Sequence, residues 1–320
     1  MHGHLGVAVL DDEEARAARA LLGDLVTRGK PAFAHGSGDL LELSVVEPGE
    51  ERNPFEHLCR SPGHLGFIQR NHAIREISQD THVQVTVIGC SPAWPNAAGA
   101  QSGYLVEGGG RLLLDCGPGV LPRLRSTDGW PRVDAVAITH FHLDHWGDLV
   151  PWIFGAAFGP GRDAGKPQLW LPPGGHERLR LFGEELSFRD QIEIVFEVNE
   201  YADGEPFRAA GFDVTPVQLH HYTELTFGMR VTNGGSTLAY SGDTGPDARL
   251  SELARDADLF LCEATLSVPE PALRGHLTED EALEAFHASG ARRLVVIHRP
   301  DERPLDPSFE RAADGDVLNF

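Results

Sequence analysis

The sequence predicts a layered α/β sandwich, two sheets inside and helices outside, over residues 81–320, behind an accessory α+β segment at residues 1–80. Three observations carry this reading. From Thr81 onward, apolar runs of strand length alternate with Gly/Pro/Asn turn signals and with amphipathic stretches of helix length. The alternation comes in two successive sets, each mostly β. With 320 residues and 41% of them apolar, the chain can bury a substantial core and exceeds the usual length of one domain.

In the accessory segment, residues 11–29 (DDEEARAARALLGDLVTRG) predict a helix. Acidic residues crowd its start, Ala15, Ala18, Leu22, Leu25 and Val26 recur along one face, and Gly29-Lys30-Pro31 ends it. LLELSVV (40–46) predicts a strand, and residues 55–78 show no clear period. In the first set, HVQVTVIG (82–89), GYLVEGGGRLLLDCG (103–117, turning at Gly108–Gly110), VDAVAIT (133–139) and QLWLPP (168–173) predict strands. GDLVPWIFGAAF (147–158) and HERLRLFGEEL (176–186) predict helices. In the second set, IEIVFEV (192–198), FDVTPVQLH (212–220), FGMRVTNGGSTLAYSGD (227–243), ADLFLCEA (257–264) and RRLVVIH (292–298) predict strands. Residues 246–256 and 278–290 predict helices, the latter opened by Thr278 and Glu281 at capping-box spacing.

Composition narrows the function. A formal charge of −21 argues against nucleic acid as a general partner, because backbone affinity needs clustered Lys and Arg. No apolar run approaches 18 residues and the N-terminus lacks signal-peptide character, so a cytoplasmic protein with no membrane partner is expected. Cys59, Cys90, Cys116 and Cys262 are far apart, which predicts reduced, buried thiols rather than a disulfide framework or zinc ribbon. His2 and His4 predict only a frayed terminus. The accessory segment is a candidate for homodimer formation.

The chemistry concentrates in AITHFHLDHWGDL (137–149). His140-x-His142-x-Asp144-His145 directly follows the strand VDAVAIT, where a rigid sheet can hold side chains about a fixed point. Imidazole and carboxylate are the donors that zinc and similar divalent ions accept, and four donors in six residues can serve two ions.

This motif resembles the signature of the metallo-β-lactamase superfamily, and the resemblance extends over residues 83–298. The opening VTVIGCSPAWPNAAGAQSGYLVEGGGRLLLDCGPGVLPRL, then YSGDTGP, LFLCEAT, GHLT and LVVIH, are similar to its ribonuclease Z and phosphodiesterase branch. The resemblance implies a four-layer αββα sandwich and two divalent ions, zinc first and manganese or iron as alternatives. It implies His140, His142 and a histidine of the 220–221 pair on one ion, Asp144, His145 and His298 on the other, and Asp243 as the bridging carboxylate. Spacing to Phe227-Gly228 favours His221 over His220. Asp115 resembles an aspartate that supports the ligand loop.

Two divalent ions facing Asp144 and Asp243 leave a net positive centre, which would lower the pKa of a bridging water and supply hydroxide as nucleophile. Hydrolysis is therefore the expected reaction. Asp144 counts as both ligand and catalytic group. His276 resembles the branch's proton donor, and Glu263 is positioned in sequence to orient it. A small anionic phosphodiester, cyclic nucleotides included, is the first substrate expectation. A carbonyl hydrolase (lactonase or thioesterase) is the alternative, with Trp94, Trp146, Trp152, Phe154 and Phe158 as a candidate acyl pocket. tRNA 3′ processing ranks lower, since no long basic arm stands between His145 and His221. A metal-binding regulatory protein is the non-enzymatic alternative.

Overall fold

The computed structural model of the chain describes residues 83–320 together with strands β1 (Ala8–Val9), β2 (Ala32–His35) and β3 (Leu40–Val45). The chain divides into two compact units, Met1–Glu76 and Ile77–Phe320. In the first, the three strands form an antiparallel sheet in the order β1-β3-β2, and β3 falls on the run expected to be a strand. The helix expected over residues 11–29, residues 55–78, Cys59, His2 and His4 lie outside the described residues.

The second unit holds two sheets. The seven-stranded one is built from β4 (Gln84–Gly89), β5 (Gly103–Glu107), β6 (Arg111–Leu114), β7 (Ala135–Ala137), β8 (Gln168–Leu171), β9 (Glu197–Glu200) and a later strand, β16 (Val317–Asn319), in the order β16-β4-β5-β6-β7-β8-β9. The six-stranded sheet runs β10 to β15 in sequence order: Phe207–Ala209, Phe212–His221, Glu224–Asn233, Ser236–Tyr240, Leu259–Glu263 and Leu294–Ile297. Each sheet joins an antiparallel part to a parallel one, β6 to β9 and β13 to β15 being parallel. The helices are α1 (Val120–Asp128), α2 (Leu143–Trp146), α3 (Leu149–Phe158), α4 (Gly175–Glu185), α5 (Ile192–Val195), α6 (Arg249–Leu253) and α7 (Glu279–Ser289).

Strand alternation explains the layering. Leu112 and Leu114 join a core shared with Val231, Leu238, Leu259 and Leu261 of the other sheet, while Leu113 between them packs with the helical residues Leu121, Trp152 and Leu179. On the second sheet, Phe260 and Cys262 alternate with Leu259 and Leu261 and pack with Leu250, Leu253 and Ala282 of α6 and α7. Three cores separate four layers, αββα. At α7, the Thr278 hydroxyl accepts from the Glu281 N–H while the Glu281 carboxylate accepts from the Thr278 N–H, completing the expected capping box. Cys90, Cys116 and Cys262 are buried free thiols. Among the described residues no helix is long and apolar enough to cross a membrane.

One expected strand is partly a helix. IEIVFEV alternates as a strand should, but Ile192, Val195 and Phe196 are the buried residues and Ile194 is 63% exposed, which is the helical period; the strand begins only at Glu197. Helix α1 was unforeseen, since Gly117, Pro118, Gly119 and Pro122 punctuate the stretch where it begins. Pro122 stands in the first helical turn, where no intrahelical N–H bond is lost.

Candidate metal centre

Every expected metal ligand, with Asp115 and Glu263, lies at or shortly beyond the C-terminal end of a strand, from both sheets, while His276 lies in the loop before α7. Asp115 directly follows β6 and His140 stands three residues beyond β7; His142, Asp144 and His145 ride the tight turn into α2. From the second sheet, His221 ends β11, Asp243 follows β13, Glu263 ends β14 and His298 follows β15. Asp115 and His298 adopt left-handed backbone angles, φ 58° and 54°, a strain that turns each side chain out of its strand toward the common edge. The turn carrying the motif is itself clamped. Cys116 N–H donates to the His145 carbonyl at 2.7 Å, and Asp148 accepts from the Leu121 N–H at 2.8 Å, tying the turn to the start of α1. Gly117 closes against it so tightly that an added Cβ would stand 1.9 Å from the Asp144 carbonyl oxygen. Gly117→Ala is accordingly expected to displace the motif turn and lower bound metal at least tenfold, read by metal analysis after dialysis against a weak chelator.

Hydrogen bonds fix which nitrogen each histidine presents. The Thr139 hydroxyl donates to Asp115 Oδ2 (2.9 Å) and so accepts from His140 Nδ1–H (3.0 Å). His145 Nδ1–H donates to Asp115 Oδ2 at 2.7 Å, and His221 Nδ1–H to the Gly275 carbonyl at 2.5 Å. The Thr265 hydroxyl donates to Glu263 Oε2 (2.9 Å) and accepts from His298 Nδ1–H (2.8 Å). Each of these four rings thus aims Nε2 inward, and the fifth, His142, aims Nδ1 at His221 Nε2 over 2.9 Å. Glu263, His276 and His298 make one potential ligand group at the margin, and the inward atoms form two more, His140/His142/His221/Asp243 and Asp144/His145/Asp243/His298, each with its ligand atoms within 4.8 Å of one another. Asp243 belongs to both: Oδ1 is 3.2 Å from His145 Nε2, and Oδ2 is 3.9 Å from both His140 Nε2 and His221 Nε2. His220, by contrast, is exposed, and of the pair it is His221 whose ring faces the cluster.

These residues fit divalent ions. His140 Nε2, His145 Nε2 and Asp243 Oδ1 are buried and have no hydrogen-bond partner, which is costly unless something else satisfies them. Burial pushes the His221 pKa down to about 4 and that of His140 well below the usual range, so both offer neutral lone pairs. Burial also opposes charge on Asp243 and Asp144. The His298 and His145 rings nevertheless hold Asp243 well below the ordinary carboxylate range, and His145 does the same for Asp144. His145 is driven the other way: against its burial, Asp243, Asp115 and Asp144 raise its pKa well above normal, the response of a buried carboxylate cluster that demands positive charge. A cation would satisfy that demand and displace the proton from Nε2.

His276 and Glu263 stand beside this cluster. Glu263 is fully buried and accepts from His276 Nδ1–H at 2.7 Å, from Thr244 N–H, and from the Thr265 N–H and hydroxyl. Burial disfavours charge on His276, but this carboxylate raises its pKa to about 9. A cleft of about 440 Å³ opens over the cluster, lined by Ala93, Gln101, His142, Leu143, Asp144, Tyr222, Asp243 and His276. None of the five aromatic residues considered for an acyl pocket is among them. Trp146 and Trp152 are buried in the helical core, Phe154 and Phe158 lie exposed on α3, and Trp94 carries Arg303 over its ring. Thr139, Tyr240 and Thr265 were missed in the sequence. Single hydroxyls carry no spacing signal, and only the fold brings the Tyr240 hydroxyl to Asp115 Oδ2 at 2.6 Å.

Comparison with known proteins agrees with this geometry. Residues 110–299 match the model of the beta-lactamase superfamily domain. The uncharacterized protein Rv1339 of Mycobacterium tuberculosis is 36% identical over 227 residues, covering 68% of this chain and 81% of the relative. Ribonuclease Z of Mycobacterium marinum is 31% identical over 243 residues, covering 68% and 85%. Among solved structures, the metallo-beta-lactamase fold protein YhfI from Bacillus subtilis superposes with a TM-score of 0.64 at 26% identity, covering 75% of this chain and all of that one.

Proposed function

The chain belongs to the metallo-β-lactamase superfamily of hydrolases, and from that premise we propose that it is a dinuclear phosphodiesterase acting on small phosphodiesters, cyclic nucleotides among them. One observation carries the reading: two groups of buried, inward-facing His and Asp atoms share Asp243, and His276, held through Nδ1 by the buried Glu263 carboxylate, stands beside them in an open cleft. His140, His142 and His221 with Asp243 would hold one divalent ion, and Asp144, His145 and His298 with Asp243 the other. Bound there, two such ions supply Lewis-acid polarisation of a phosphoryl oxygen and a water of lowered pKa.

The chain's own residues supply the rest. Asp115, Thr139, Gly275 and Thr265 hold the ligand rings in one tautomer and one orientation, so no reorganisation is needed at the moment of reaction. Glu263 holds His276 through Nδ1, which leaves Nε2–H as the proton to give to the leaving oxygen. Glu263 acts through His276 and is a positioning residue. The ribonuclease Z relative supports phosphoester over carbonyl chemistry, while the absence of a basic arm and the charge of −21 favour small diesters over tRNA.

A panel of bis(p-nitrophenyl) phosphate, 2′,3′- and 3′,5′-cyclic nucleotides, a short RNA, a lactone and a thioester tests this. Diester cleavage that a chelator abolishes and zinc or manganese restores is the expected result; turnover confined to the lactone or thioester overturns it. His276→Ala is expected to slow cyclic nucleotide cleavage by about 10²- to 10³-fold, and cleavage that expels p-nitrophenolate by less than about tenfold, because only the poor leaving group needs the proton. Equal losses on both substrates would remove His276 from that role.

A further inference from the structure

The cleft wall contains one polar side chain that the reaction above leaves unused. Gln101, in the segment between β4 and β5, lines the cleft yet is only 6% exposed. Its amide nitrogen donates to two backbone carbonyls, Pro92 at 3.2 Å and Ala93 at 2.6 Å. Its backbone N–H donates to the Pro118 carbonyl at 3.0 Å, so the residue is tethered at both ends. Turning the amide over would place Oε1 against those two carbonyls, oxygen against oxygen, and the orientation is therefore fixed. Both amide protons are spent. The remaining polar atom, Oε1, has no hydrogen-bond partner among the described residues and is not enclosed like the buried unpaired atoms of the metal cluster, which leaves it open to the cleft.

Its place in the cleft is equally defined. Gly117 packs against both Gln101 and the motif turn, since a Cβ there would meet the Asp144 carbonyl oxygen at 1.9 Å and Gln101 Cβ at 3.0 Å. Gln101 thus stands on the Asp144 side. Tyr222 and His276, whose rings are 5.6 Å apart, form the His221 side.

We propose that Gln101 is a specificity-determining residue: its Oε1 is a preset acceptor that reads an O–H or N–H donor carried by the substrate beside the scissile diester. The inference rests on the phosphodiesterase reading and deepens it, because it selects diesters bearing a sugar hydroxyl or a base amine over diesters with no donor. A substrate lacking the donor would leave Oε1 dehydrated and unpaired, and a site built to bond a group discriminates against its absence more strongly than an apolar wall does.

The test compares kcat/KM for 3′,5′-cyclic AMP, its 2′-deoxy counterpart and the same cyclic phosphate of purine riboside, which lacks the amine, in wild type and in Gln101→Met. Wild type is expected to lose about tenfold or more on removal of one of the two donors, and the compound affected identifies the sugar or the base as its source. In Gln101→Met the same pair should differ by less than about twofold. Melting temperature and bound metal are measured alongside, and Gln101→Leu replaces the methionine variant if that one does not fold. Wild type indifferent to both donors overturns the proposal, as does a variant that discriminates as strongly as wild type. Bis(p-nitrophenyl) phosphate separates the two levels. If wild type cleaves it but ignores the donors, only the role of Gln101 falls; if wild type cleaves no diester, the phosphodiesterase reading falls and takes this inference with it.

Discussion

Asp243→Asn is expected to lower turnover by at least about 10⁴-fold and to reduce bound metal from two ions to one or none. Asp243 is the residue common to both ligand groups, so its loss weakens both sites at once, whereas each histidine serves one. Asparagine keeps the shape but removes the charge that the His145 and His298 rings face at 3.2 and 3.5 Å. It also replaces one of two acceptor oxygens with an amine that cannot ligate. Metal analysis and the diester assay read the two effects separately. Two tightly held ions in the variant would remove Asp243 from the bridging position, and wild-type turnover would remove the whole assignment.

The second large effect is predicted at a residue that touches no substrate. Asp115 is fully buried and accepts four hydrogen bonds: Oδ1 from Thr139 N–H, and Oδ2 from the Thr139 hydroxyl, the Tyr240 hydroxyl and His145 Nδ1. Asp115→Asn must set its NH₂ against existing donors whichever way the amide turns. A buried acceptor network broken in this way costs about 3–5 kcal/mol of stability. Loss of the hydrogen bond that orients His145 should weaken metal affinity by about 10- to 100-fold. Denaturant unfolding of the chelated protein measures the first quantity, and competition with a chromophoric chelator the second. A variant as stable as wild type would show that the network around Asp115 contributes little to holding the edge of the sandwich together.

The four-layer fold was legible in the sequence, and so was the run that begins the candidate site. His140, His142, Asp144 and His145 stand in one short run, and the structure groups them. His221, Asp243 and His298 are distant and unremarkable alone, and became visible only through their order relative to that run. The choice between His220 and His221 follows from strand alternation, since adjacent residues of β11 face opposite ways and one must point outward. What stayed hidden has a common cause. Thr139, Tyr240 and Thr265 act through single hydroxyls, Gln101 through an amide fixed by two carbonyls, and neither kind of contact leaves a pattern along the chain. IEIVFEV misled because a run that short satisfies both the two-residue and the 3.6-residue period, and packing of Ile192, Val195 and Phe196 decided between them.

The meeting of strand ends from both sheets has a consequence for how the molecule melts. His298 and Asp144 approach to 3.2 Å although they stand 154 positions apart in the chain, so a cation held there would be a rivet joining the first half of the polypeptide to the second. A ligand that recognises only the assembled edge stabilises it by mass action, roughly 4 kcal/mol when free metal exceeds the dissociation constant a thousandfold. Trace-metal supply would then set the protein's resistance to unfolding as well as its rate, the ion adding to the apolar core that already joins the two sheets.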